Sequence, residues 1–212
     1  MQLIQRAPVV LIAALFLAAT CRTSPVFATE PSQTTAPRAP SAFAPKLVDT
    51  SAAMLVGYGF NEFGHSAGAP NPFNVGFGAA FGLTFWDAAY LGANIVYYVG
   101  QSGSNAINTE TGQKGSFRMS TLTATLDLGY RLRLGGDIML RPYLAVGLLD
   151  GFASIPGASE TTHRLYVAPS LALQIPLRRN AFVGAELRYG LGFASGDTHS
   201  NISAFAAVGY RF

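Results

Sequence analysis

The stretch Ile202-Ser203-Ala204-Phe205-Ala206-Ala207-Val208-Gly209-Tyr210-Arg211-Phe212 decides the fold class of this chain. In an extended strand successive side chains point to opposite faces. Ile202, Ala204, Ala206, Val208, Tyr210 and Phe212 therefore share one face, and Ser203, Phe205, Ala207, Gly209 and Arg211 share the other. The first face is apolar and finishes in two aromatics, while the second is mostly small and carries an arginine. A period of two excludes an amphipathic helix, whose apolar positions recur every three or four residues.

Working outward from this stretch, the same alternation recurs between clusters of Gly, Asn, Ser and Pro. Phe73, Val75, Phe77, Ala79, Phe81, Leu83 and Phe85 oppose Asn74, Gly76, Gly78, Ala80, Gly82 and Thr84. Leu122, Ala124, Leu126, Leu128 and Tyr130 oppose Thr121, Thr123, Thr125, Asp127, Gly129 and Arg131. Further strands are expected over 51–60, 89–100, 139–149, 164–175, 181–193 and 201–212, which makes eight. Most reach the roughly 9–11 residues of a tilted membrane strand. Connections alternate in length. Short turns are expected at Trp86-Asp87-Ala88, Leu134-Gly135-Gly136-Asp137 and Arg178-Arg179-Asn180, and longer polar loops at 61–72, 101–116, 150–163 and 194–200.

Alternation alone does not say which face is inside, since a soluble sandwich or lipocalin-type barrel buries its apolar face. Here the opposite face is Gly, Ala, Ser and Thr with Asp127, Arg131, Glu186, Arg188 and Arg211. Eight strands enclose only enough room for side chains, and small residues with paired charges would fill it. The apolar face is then left for lipid. The expected fold is an all-β, eight-stranded, antiparallel up-and-down transmembrane barrel with short periplasmic turns and longer extracellular loops. Aromatics near strand ends (Phe60, Phe73, Trp86, Tyr90, Phe117, Tyr130, Tyr143, Tyr166, Phe193, Tyr210 and Phe212) are expected in its interfacial girdles.

Only 12% of residues are charged and 50% are hydrophobic, with a net charge of +3. No cluster of Lys and Arg interleaved with aromatics is present, so nucleic acid is not an expected partner. Residues 1–28 read as an export signal, with Arg6 before an apolar run too short for a membrane helix and a cleavage site at Val26-Phe27-Ala28. Leu17-Ala18-Ala19-Thr20-Cys21 is a loose lipobox and the alternative processing site; neither route leaves disulfide or thiol chemistry. Residues 29–49, rich in Pro, Ser and Thr, read as a periplasmic linker, and 50–212 as the barrel.

The barrel region, about three quarters of the chain, resembles the small eight-stranded outer-membrane proteins of the OmpA/OmpX and opacity-protein type. Arg141-Pro142-Tyr143-Leu144-Ala145-Val146-Gly147 is similar to an Arg-Pro-Tyr-x-x-x-Gly run of that family, and Gly209-Tyr210-Arg211-Phe212 to its closing strand. The resemblance implies an integral protein of the bacterial outer membrane with both termini periplasmic. It implies that Val208, Tyr210 and Phe212 form a barrel-closing signature that the barrel assembly machinery reads. It also implies a structural or surface-interaction role in the cell envelope, with outer-membrane lipid, lipopolysaccharide and an extracellular ligand or host surface as partners. A narrow porin-like channel is the alternative function, and a lipid-modifying enzyme a more remote one.

Candidate sites are few. Asp127, Arg131, Glu186 and Arg188 are expected to form a charge network inside the barrel, structural rather than gating. Lys114 and Arg118 are placed near the outer rim, where lipopolysaccharide phosphates would lie. His65, His163 and His199 fall in outer loops with Glu62, Glu160 and Asp197, yet no spacing matches a metal-ligand pattern. His199-Ser200-Asn201 invites comparison with the His-x-Ser-Asn motif of outer-membrane lipid A deacylases but lacks the intervening residue. Its histidine and serine would face opposite ways. No catalytic residue, metal or cofactor is expected.

Overall fold

Bulky side chains alternating with glycine, alanine and threonine favour long pleated segments, and such segments make up nearly all of the structure. The computed structural model describes residues 48–63, 70–107, 112, 114–135, 137–177, 180–194 and 197–212. The expected signal segment and residues 29–47 of the expected linker lie outside the described residues. Eight long strands follow one another: β1 (Val48–Phe63), β2 (Val75–Phe85), β3 (Ala89–Ile107), β4 (Lys114–Tyr130), β5 (Met139–Ile155), β6 (Ala158–Pro176), β7 (Ala181–Ala194) and β8 (Asp197–Arg211). A two-residue strand, Leu132–Arg133, pairs with the start of β5.

Each long strand is antiparallel to its two neighbours, and β1 pairs with β8, so the sheet closes on itself. The register runs from Asp49 through Thr84, Tyr90, Gly129, Tyr143, Ser170, Arg188 and Ser203. It returns to β1 at Gly59, ten residues further along. Eight strands with that stagger tilt by about 40° and leave an interior only as wide as packed side chains. The ladder between β6 and β7 breaks between Val167 and Ser170, where Pro169 has no N–H to donate.

The faces divide cleanly. Met54 (77% exposed), Leu126, Leu128, Val208 and their outward neighbours form an apolar belt, while Asp127 (2%) and Arg188 (1%) are buried inside. Soluble monomers rarely expose a continuous apolar surface of this kind, and large exposed apolar patches mark membrane or protein contacts. Exposed Trp86, Tyr130, Tyr210 and Phe212 ring the short-turn end, and Tyr58, Phe60, Tyr97 and Phe193 ring the other, as interfacial girdles do.

Three expectations are corrected. Phe73, Tyr90, Tyr143 and Tyr166 do not join the girdles; all four are buried on the lumen side. Their neighbours explain it. A Cβ added to Gly82 or Gly92 would lie 2.4 or 2.2 Å from Tyr90, so these glycines leave the space that the ring fills. Second, much of the polar outer segments is strand rather than loop. β3 and β4 stay paired out to Ile107 and Lys114, and β5 and β6 out to Ile155 and Ala158. Only Pro156 and Gly157 link β5 to β6, Gly157 in the left-handed region that a glycine adopts without cost. Third, β1 starts at Val48, so Asp49 belongs to the barrel and not to the linker.

At the opposite end the connections are tight, as expected. Trp86 and Asp87 both have positive φ, and the Ala88 N–H donates to the Phe85 carbonyl at 3.0 Å. Leu134 and Leu177 close the other two turns with N–H bonds of 2.8 Å to Ile138 and Ala181. A charge on the apolar belt should oppose insertion. Leu126→Arg is expected to lower folding stability in lipid vesicles by about 2–4 kcal/mol, the scale for a midplane arginine, read as a shift in a urea unfolding titration; an unshifted midpoint would mean Leu126 does not face lipid.

Candidate functional site: a filled lumen beneath a projecting sheet

The lumen is built from the inward residues of all eight strands and is packed in layers. At the short-turn end Arg131 bonds Asp49 on β1 at 2.6 Å and Asp87 in the β2–β3 turn at 2.5 Å. Arg133 reaches the other oxygen of Asp87, and Arg211 on β8 approaches Asp49 at 3.3 Å and Gln174 at 3.3 Å. The two Asp87 pairs also offset the strain of a left-handed non-glycine residue in that turn.

Above this layer the Arg141 guanidinium stacks 3.8 Å from the centre of the Tyr90 ring and 5.9 Å from that of Tyr143. The Arg-Pro-Tyr run therefore has a physical basis. Arg141 and Tyr143 share the inward face, and at Gly147 a Cβ would collide with the Ala124 carbonyl oxygen at 2.0 Å. In the middle, Arg188 donates through Nε to Glu186 and through Nη1 to Asn94 Oδ1 at 2.8 Å. Asn94 Nδ2 in turn donates to both oxygens of Asp127, at 2.9 and 2.8 Å, and the Thr125 hydroxyl adds a third bond at 3.0 Å. The Arg188 guanidinium also lies 5.0 Å over the Phe205 ring. Nearer the hairpin end, Tyr98 donates to Ser203 at 3.1 Å, and Asn201 donates to the same hydroxyl at 2.8 Å.

The four charges expected to form one network thus fall into two. Asp127, Glu186 and Arg188 are joined in mid-barrel through Asn94, and Arg131 belongs to the short-turn layer with Asp49 and Asp87. Asn94, Asp49 and Asp87 were not singled out from sequence. Asn94 sits on the inward parity of β3 and was legible there, whereas Asp49 follows a Pro-rich stretch and Asp87 occupies a turn, where alternation says nothing.

Val208, Tyr210 and Phe212 all point outward, with the last two rings 5.3 Å apart. The Phe212 N–H donates to Thr50 and the Arg211 N–H to Asn180, both at 2.9 Å, tying the final residues to β1 and to the β6–β7 turn. Lys114 and Arg118 are exposed on one face of the projecting part of β4, Arg118 between Ser102 and Ser154 in register. His163 is exposed and pairs with its cross-strand partner Asp150 at 2.7 Å. His199 and Glu160 line the outer mouth. His65 and the side chains of Glu62 and Asp197 lie outside the described residues. Among the described residues no three His, Cys, Asp or Glu side chains converge as a metal site. His199 and Ser200 are consecutive in β8.

The strands β3 to β6 run beyond their neighbours at the hairpin end. β3 is paired with β2 only up to Val99, and β6 with β7 only from Leu165 onward. Between them β4 and β5 pair out to Arg118 and Ser154. The result is a four-stranded sheet projecting from the barrel, and among the described residues 158–164 of β6 have ladder partners on the β5 side alone.

No family model and no curated protein matches the chain. Solved structures match the fold. Neisserial surface protein A superposes with a TM-score of 0.56 at 9% identity, over 80% of this chain and 100% of that one. The N-terminal β-barrel domain of Pseudomonas aeruginosa OprF gives 0.51 at 16% identity, over 80% and 100%. Ail, the attachment invasion locus protein of Yersinia pestis, in complex with the heparin analogue sucrose octasulfate, gives 0.51 at 15%, over 78% and 97%. The fold is that of the small eight-stranded outer-membrane barrels.

Removing Glu186 tests whether the lumen charges plug or gate. Glu186→Ala leaves a buried guanidinium without its carboxylate and is expected to cost about 3–5 kcal/mol of stability, with no steady current in planar bilayers. A steady conductance at unchanged stability would identify a gate.

Proposed function

We propose that this chain is exported through its 1–28 signal, inserts into the bacterial outer membrane with both termini periplasmic, and serves as a non-enzymatic, non-conducting envelope protein that presents a projecting sheet to the exterior. The observation that carries the reading is the pairing of a filled lumen with a sheet extended at one end only. Tyr90, Tyr98, Tyr143, Tyr166, Arg141 and Arg188 occupy the space a channel would need. Chemistry or recognition is then left to the surface.

The outward apolar belt and its two aromatic girdles support membrane insertion, and the short turns support a periplasmic assignment for the end that carries Val48 and Phe212. Lipid is the partner of the belt. Val208, Tyr210 and Phe212, outward and adjacent at the seam, are suited to being read by the assembly machinery before closure. Lys114 and Arg118 stand on the projecting part of β4, where their charges would meet lipopolysaccharide phosphates or another surface anion. Among the described residues, 158–163 of β6 have ladder partners on the β5 side alone, and this edge is the place where an extracellular partner would add to the sheet. Ail, a neighbour in fold, carries attachment in its name and was crystallised with a heparin analogue, which supports a surface-interaction role for this chain as well.

Orientation is open to direct test. In intact cells Thr161→Cys, on the exposed edge of β6, is expected to react with a membrane-impermeant maleimide, while Leu134→Cys, in a short turn, reacts only after the outer membrane is permeabilised. The reverse pattern would invert the topology, and equal labelling of both would remove the protein from the membrane.

A further inference from the structure

The packing of the lumen stops short of its outer mouth. A cavity of about 190 Å³ lies there between β4, β5, β6 and β8. Its origin is in the cross-strand register. On the inward face Met119 of β4 and Glu160 of β6 flank Ala153 of β5, and in the next row Thr121 and Thr162 flank Gly151. Alanine and glycine at the centre of these rows leave a trough between larger neighbours. A Cβ at Gly151 would already press on the Thr162 hydroxyl at 2.6 Å.

The floor of the trough is apolar and held in place. Phe73 is turned inward, its ring edge-on to Tyr98 at 5.3 Å, and Leu149 is buried beside it. The Phe73 N–H donates to Asn71 Oδ1 at 3.0 Å, Asn71 Nδ2 donates to the Gly59 carbonyl at 2.8 Å, and the Thr121 hydroxyl donates to the Pro72 carbonyl at 3.0 Å. A ligand settling on this floor does not have to order it first. Among the polar side chains of the wall, Arg164 and His199 already have interaction partners, and Arg164 Nη1 is fully buried. Glu160 and Thr162 differ from them. Two residues apart, they share the inward face of β6, and among the described residues neither has a hydrogen-bond or ion-pair partner.

We propose that this cavity is a binding site for a small primary amine bearing one aryl or branched-alkyl group. The ammonium carries three donors and bonds the Glu160 carboxylate and the Thr162 hydroxyl at the rim, while the apolar group rests on Phe73 and Leu149. Size agrees, since a cavity of about 150 Å³ holds a benzene ring and the remainder accommodates the amine. Four residues of strand, about 13 Å, separate Glu160 from Arg164, so the ammonium at the rim stands clear of the guanidinium. Glu160 is exposed, which makes its attraction for a cation modest, but the same charge opposes an anion. The site relies on the barrel reading only for its exposure to the exterior.

Titration of the ¹⁵N-labelled full chain in zwitterionic detergent micelles with 2-phenylethylamine at neutral pH tests this. Saturable amide shifts are expected at Phe73, Leu149 and Thr162. The neutral isostere 2-phenylethanol is expected to bind about threefold more weakly, the scale of one partly exposed ion pair, and the anion phenylacetate more weakly still. Glu160→Gln, which keeps the shape, is expected to erase the preference for amine over alcohol, a change that a merely structural role would not produce. Ala153→Leu, which fills the trough, is expected to abolish saturation by all three. Absence of saturable shifts, equal binding of amine and alcohol, a preference undiminished in Glu160→Gln, or saturation retained in Ala153→Leu would overturn the site. Poor amide dispersion before any probe is added would instead contradict the barrel itself, so the two failures are distinguishable.

Discussion

Inside a bilayer no water is present to satisfy backbone N–H and C=O groups, and a sheet survives there only if it has no edge. The antiparallel seam between β1 and β8 meets that requirement, running from Ser51 opposite Arg211 to Phe63 opposite Ser200. Side chains reinforce it at the short-turn end, where Asp49 on β1 faces both Arg131 and Arg211. The cross-lumen contacts depend on the same closure. Arg188 reaches Asn94 on the far side of the barrel and Tyr98 reaches Ser203 only because the ring is complete.

Closure with a ten-residue stagger leaves an interior that must be filled, and the chain fills it by setting large rings against glycines. Gly82 and Gly92 receive Tyr90, Gly190 receives Tyr166, and Gly209 receives Phe182, whose ring a Cβ would meet at 2.3 Å. The remaining volume is taken by charges in short hydrogen-bonded chains. Burying each charge is costly unless partners replace its water. Asn94 is central for that reason, an amide that donates to Asp127 while accepting from Arg188, so that a carboxylate and a guanidinium are both served by one neutral side chain. An interior so occupied moves function to the ends, above all to the hairpin end, where the sheet projects and the lumen opens into a cup.

Much of this was legible in the sequence wherever one face was bulky and the other small. Residues 73–85 and 202–212 announce strands by a period of two, and the small or charged character of the second face told inside from outside. The signal failed in three physical circumstances. Tyr90, Tyr143 and Tyr166 lie near the ends of the strands expected from sequence, which suggests girdles, but their parity puts them inward, and parity prevails because a strand cannot turn one side chain around. The outer parts of β3 to β6 are wet on both faces, so no apolar alternation marks them and they read as loops. Asp127 and Arg131 share a face four residues apart, yet four residues of a tilted strand amount to about 10 Å along the barrel, enough to place them in different layers. The cup was not legible at all, because it depends on Phe73 turning inward just before β2 begins.

The account stands on a closed barrel whose apolar face is outside. Electrophoretic mobility of the membrane-extracted protein, boiled against unboiled in detergent, tests it most directly. A closed, hydrogen-bonded barrel resists detergent until heated, so the unboiled protein is expected to run at a different position from the boiled one. Identical mobility, with the protein recovered in the soluble periplasmic fraction, would mean that the apolar face is an interior core and that the faces assigned here are inverted.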